Sequence, residues 1–326
     1  MNMKKWFADA IGSSMQPLPL LSFPSVQLLG INVRQLIASA DAQAEGMLAV
    51  ANRVKASAAV SLMDLSVEAE AFGATIHITD DEVPTVVGQM ITTQEEADAL
   101  VAPEVGAGRT GICVDAIRKA KTLITDRPLF AGVIGPFSLA GRLLDVTEAM
   151  ILCYEDEDLV HTVLTTATDF LIEYCKAFRD AGADGVVIAE PLAGLISPSL
   201  AREFSHSYVR KMIDAVQTED FAVVYHNCGN NTVLMAADIY GLGAYGYHFG
   251  DAIELLDLLE KAPADVLVMG NISPSACFLQ GTPEQMTKAV QDLKAKCGHF
   301  PNFLLSSGCD IPPAAKWDNI DAFFNS

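Results

Sequence analysis

The sequence predicts an α/β fold: one (β/α)8 barrel of the TIM type over residues 1–326, with an N-terminal extension and a hairpin insertion after the second strand. Three observations predict it. Short β-branched runs alternate with helical stretches, which marks a parallel sheet. Eight such runs recur, the number that closes a barrel. No charge block, low-complexity tract or Gly/Ser linker divides the 326 residues, and barrels of such length form single units. A doubly wound open sheet is the alternative reading of the same alternation.

Val26-Gln27-Leu28-Leu29 reads as the first strand, ahead of a helical pattern over about 34–56. Residues 58–65 read as the second. The insertion follows at 68–88, where Ala74-Thr75-Ile76-His77-Ile78-Thr79 looks like one arm of a hairpin. Residues 129–134 form the third strand, followed by Gly135-Pro136 and a helix near 137–144. A long helical pattern at 156–181 leads to the fourth strand at 184–189, and a helix near 198–217 to the fifth at 222–225. Strands six to eight fall at 245–248, 266–269 and 303–306, separated by helical patterns near 251–260 and 283–297.

Hydrophobic residues make up 51% of the chain and charged residues 19%, enough apolar material for a large core. Twenty-one basic residues against 41 acidic ones leave a net charge of −20. That balance disfavours nucleic acid and anionic membrane surfaces as partners. No apolar run approaches the ~18–20 residues that cross a bilayer. Seven cysteines, an odd number in a long chain, argue against a disulfide framework and for a reducing, cytoplasmic setting. A homo-oligomer is compatible with these features.

Chemistry concentrates at two strand ends. Tyr225-His226-Asn227-Cys228-Gly229 follows the fifth strand and Ser307-Gly308-Cys309-Asp310 the eighth. Residues two apart on a strand project to one side, so His226 and Cys228 face together. All three lie at the carboxyl rim, where barrel enzymes place their chemistry. One imidazole and two thiols make a donor set that suits Zn2+. Three protein ligands leave a position open, the arrangement of a catalytic site.

Around these residues the chain resembles the zinc-dependent corrinoid methyltransferases of the uroporphyrinogen decarboxylase superfamily, the methylcobamide:coenzyme M methyltransferases among them. The resemblance rests on the H-x-C pair and on a third cysteine in a G-C-D motif 81 positions beyond Cys228. It extends to Glu68-Ala69-Glu70-Ala71-Phe72-Gly73, Gly135-Pro136-Phe137-Ser138-Leu139-Ala140-Gly141 and Tyr247-His248-Phe249-Gly250. It implies a barrel, a zinc ion held by His226, Cys228 and Cys309, and a separate corrinoid protein as methyl carrier. The small substrate is then either a thiol acceptor such as coenzyme M or a methoxy or methylamine donor. Zinc makes a bound thiol a thiolate, and it polarises a methoxy oxygen. The other branch of the superfamily, the metal-free decarboxylases, grips an octa-acid with an arginine-rich N-terminal motif. Here Val33-Arg34-Gln35 lacks the partner arginine, and the chain has nine arginines in all. A non-catalytic zinc-binding barrel is a third reading, and it needs a closed fourth ligand.

Other rim residues are candidates. Glu190 ends the fourth strand and is read as a fourth ligand or a substrate-site base. Asp64, which ends the second strand, is read as a catalytic candidate, and Asn271, after the seventh, as a cofactor-site candidate. Tyr247 is read as a substrate contact by family analogy, and His248 as a cofactor-site residue or a packed ring. Asn227 and Asp310 are expected to accept the second N–H of a metal-bound histidine. Gly106-Ala107-Gly108-Arg109-Thr110-Gly111 fits G-x-G-x-x-G but follows no strand, so it reads as a loop whose Arg109 contacts an anion of substrate or corrinoid.

Overall fold

A computed structural model describes residues 1–326. In chain order its strands are β1 (Ala59–Val60), β2 (Thr75–His77), β3 (Thr85–Val87), β4 (Leu129–Ile134), β5 (Gly185–Ala189), β6 (Ala222–Asn227), β7 (Gly246–Phe249), β8 (Leu267–Ile272) and β9 (Phe303–Ser307). Seven of them form one sheet in the order β1-β4-β5-β6-β7-β8-β9. Every pairing within it is parallel. The intervening helices cover its outer face. β2 and β3 pair antiparallel, the expected hairpin, although residues Val67–Ala71 ahead of it form a short helix.

The eighth stave differs from the expected one. Ser25–Leu29 is a helix, so the run at 26–29 is not a strand. Its place is taken by an extended segment at 17–20. Leu18 N–H donates to the Leu305 carbonyl and Leu20 N–H to Ser307 Oγ, while Pro17 accepts from Ser57 N–H on the β1 side. The alternating Pro17 and Pro19 have no N–H to give, so this segment makes only every second ladder bond. The second strand shrinks to Ala59–Val60, and the helix expected at 198–217 is interrupted by a π turn at Arg202–His206.

Two cores follow from the period-two alternation of the strands. Val187, Ala189, Ala222, Val224, Leu267, Met269 and Leu304 point into the barrel with Leu18 and Leu20. Val186, Ile188, Val223, Tyr225, Tyr247, Phe249 and Val268 point outward against the helices. The N-terminal extension is the helix Met3–Ala10, whose Met3, Phe7 and Ala10 join the inner core. Lys4 N–H bonds the Glu219 carbonyl just before β6, so this helix plugs the amino end of the barrel. The carboxyl end is left for the site. All seven cysteines are free thiols. No helix is long and apolar enough to cross a membrane.

Candidate metal centre

His226 continues the inward set Ala222 and Val224 of β6, and Cys228 follows two residues later. Cys309 enters from the loop after β9. The ligating atoms of the three side chains lie within 4.8 Å of one another, with His226 Nε2 3.5 Å from Cys309 Sγ. The neighbouring Cys309 thiol lowers the Cys228 thiol, and the neighbouring Cys228, together with burial, raises that of Cys309. Asn227 fixes the turn that carries Cys228 beyond β6: its Oδ1 accepts from Gly229 N–H and its Nδ2 donates to Tyr225 Oη. Gly250 has to be small, because a Cβ there would lie 2.4 Å from Cys228 Cβ.

A hydrogen-bond chain determines which nitrogen of His226 is available. The Ser306 hydroxyl donates to the Leu18 carbonyl at 2.6 Å, so its oxygen accepts from His248 Nε2–H at 2.8 Å. His248 Nδ1 is then an acceptor, 2.7 Å from His226 Nδ1. His226 Nδ1 also approaches the His248 carbonyl at 3.3 Å, which can only accept. The proton of His226 therefore sits on Nδ1, and the Nε2 lone pair faces the two sulfurs. Burial and the neighbouring His226 hold His248 well below the usual histidine range, so it stays neutral and keeps its acceptor. The second-ring partner is thus His248, not Asn227 or Asp310. The donor chemistry, the close approach of three ligand atoms and the bare Nε2 all fit a zinc ion.

The remaining candidates are dispersed. Glu190 is buried, and its Oε1 accepts from Ser138 N–H at 2.8 Å and from Ser138 Oγ. Its Oε2 has no partner, and burial pushes the carboxyl up to about 8. It lies outside the three-ligand cluster. Asp64 and Arg109 form a buried ion pair. Arg109 also donates to Glu70 Oε2 at 2.6 Å and to Ser66 Oγ at 2.8 Å. Arg109 is therefore committed to protein carboxylates, which corrects its reading as an anion contact. Tyr247 is a second correction: it belongs to the outward set of β7, in the opposite phase to His248. Its Oη accepts from Gly243 N–H and Ala244 N–H and donates to the Tyr240 carbonyl. Asn271 spends its Nδ2 on the Gly250 and Ile253 carbonyls and lines a cavity with Leu255, Leu293 and Cys297 of the outer helices, shaping the loop after β7 rather than holding a cofactor.

A cavity of about 40 Å3 touches all three ligands, with Met63, Leu65 and Asp310 in its wall. The same Met63, Leu65 and Asp310 line a cavity of about 480 Å3 beneath the hairpin loop. That volume is ordinary for a small-molecule site. Ser306 and Met63 were missed as site residues in the sequence. Ser306 was findable from the inward phase of β9, which it shares with Leu304.

The family model for uroporphyrinogen decarboxylase (URO-D) matches residues 25–326. The chain belongs to the uroporphyrinogen decarboxylase family. Within the URO-D family it is similar to proteins of both branches. It is 30% identical over 257 residues to the methylcobamide:CoM methyltransferase MtbA of Methanosarcina mazei, covering 76% of this chain and 72% of that one. It is 26% identical to the uroporphyrinogen decarboxylase of Xylella fastidiosa, covering 73% of this chain and 69% of that one. Among solved structures, a methyltransferase from Methanosarcina mazei superposes with a TM-score of 0.87 at 23% identity, covering 100% of this chain and 98% of that one. This last likeness shows the shared barrel fold.

Proposed function

We propose that this URO-D family chain is a zinc-dependent methyltransferase that exchanges a methyl group between a corrinoid carried by a partner protein and a small substrate. The observation that carries the reading is the convergence of His226 Nε2, Cys228 Sγ and Cys309 Sγ at the mouth of a cavity. The similarity to methylcobamide:CoM methyltransferases supports it and favours a thiol as the methyl acceptor.

His226, Cys228 and Cys309 would hold the ion. Zinc supplies, when bound, the acidity that turns an incoming thiol into a nucleophilic thiolate at neutral pH. The chain's own residues do the rest. The Leu18–Ser306–His248 chain keeps the His226 lone pair directed at the ligand cluster. The apolar wall of Leu20, Met63, Leu65, Ala189 and Pro191 keeps water from the reacting sulfur. Glu190 is proposed as a neutral acid behind this wall, held on Ser138 at the start of the helix Pro136–Leu144.

The test is an assay of the purified protein with methylcobalamin and a panel of thiols and methoxyaromatics, alongside zinc analysis. The wild type is expected to contain zinc and to demethylate methylcobalamin with at least one thiol. Cys309→Ala is expected to lose both properties. Full methyl transfer by a metal-free Cys309→Ala protein would overturn the reading.

A further inference from the structure

Cys228 and Cys309 are brought together from distant segments, one just beyond β6 and the other in the loop after β9, and their sulfurs lie within 4.8 Å of each other. Both thiols are half-buried, and both line the cavity of about 40 Å3. The five other cysteines lie in helices and touch neither that cavity nor the larger one. A disulfide holds its sulfurs ~2.05 Å apart, so closing this pair takes at most about 2.8 Å of movement. Two sulfurs each ~2.3 Å from one tetrahedral zinc stand roughly 3.8 Å apart, too far to bond. The same pair can therefore be metal ligands or a disulfide, and never both. Small molecules have a way in, because Met63, Leu65 and Asp310 wall both this cavity and the one of about 480 Å3.

We propose that Cys228 and Cys309 close into a reversible disulfide when no metal holds them apart, so that the centre is also a redox switch. The oxidant is a peroxide. One sulfur attacks the peroxide O–O bond and becomes a sulfenic acid, and the first water leaves. The second sulfur attacks that sulfenic sulfur; the S–S bond forms, the S–O bond breaks and the second water leaves. The two thiols give up two electrons and two protons, and the peroxide takes them. A small thiol entering from the larger cavity reverses the step by exchange. It attacks one sulfur and frees the other, and a second thiol releases the first as an external disulfide. The oxidised pair offers no thiolate, so only His226 is left as a ligand and zinc is not held. The S–S step rests on the two sulfurs alone; its prevention by the metal rests on the zinc reading.

Non-reducing peptide mapping of the full chain after hydrogen peroxide treatment tests this, on zinc-loaded protein and on protein stripped with a chelator. The stripped wild type is expected to yield the Cys228–Cys309 linked peptide and to lose two of its seven titratable thiols. Saturating zinc should slow that loss at least ~10-fold. Dithiothreitol should restore all seven thiols and, with them, zinc binding. Cys309→Ser should leave Cys228 without a cross-link and the circular dichroism spectrum unchanged. Sulfinic acid at either position without a cross-link, a cross-link to any other cysteine, an oxidised chain that still binds zinc, or equal rates with zinc measurably bound overturns the switch. A reduced wild type that binds no zinc and still forms the Cys228–Cys309 bond overturns the metal reading and leaves the disulfide standing.

Discussion

His226 Nδ1 lies 2.7 Å from His248 Nδ1, and the two rings meet at 67°. The strand register makes this contact, since β6 and β7 pair His226 directly with His248. One further partner, Ser306 on β9, orients the pair.

Replacing His248 with Leu removes the ring acceptor and leaves the His226 Nδ1–H only the longer contact to the backbone carbonyl of residue 248, while Ser306 keeps its bond to the Leu18 carbonyl. The expected result is a ~10–100-fold loss of zinc affinity with the fold retained. Competition with a chromophoric chelator measures the affinity, and far-ultraviolet circular dichroism checks the fold. Unchanged affinity would mean that the hydrogen-bond chain does not set the ligand.

Tyr247 separates a packing role from a substrate contact. Tyr247→Phe strips the acceptor from Gly243 N–H and Ala244 N–H, at a cost of about 1–3 kcal/mol in urea unfolding. Methyl transfer by the folded variant should match the wild type. A fall in kcat/KM without loss of stability would restore Tyr247 to the site.

Glu190 makes a pH-dependent contribution to stability. Its carboxyl is raised from 4.5 to about 8 by burial, so it stays protonated in the folded chain while the unfolded chain ionises. The unfolded state then binds fewer protons between those values, and stability falls as pH rises through the window. Glu190→Gln removes this dependence. The stability of the wild type relative to Glu190→Gln, measured on metal-free protein, should decline by about 4 kcal/mol from pH 5 to pH 8.5. Parallel curves for the two proteins would contradict the buried neutral acid.

The barrel and its metal ligands were legible because their signals are local. β4 is bounded by Pro128 and Gly135 and matches the apolar run at 129–134. His226 and Cys228 follow from strand phase alone. The same phase rule puts Tyr247 opposite to His248, so the outward tyrosine was as readable as the inward histidine. Val26-Gln27-Leu28-Leu29 was ambiguous because three apolar residues around one glutamine carry no period. Pro24 before the helix and Gly30 after it, at φ 67°, are the helix boundary signals. The stave at 17–20 hides behind alternate prolines.

X-ray absorption at the zinc edge, on the purified protein with and without an added thiol, tests the central claim most directly. The account predicts two sulfur ligands and one imidazole from the protein at rest, rising to three sulfurs when the thiol is present. A sulfur count that does not change, or zinc without two cysteine sulfurs, would contradict an open centre built from His226, Cys228 and Cys309.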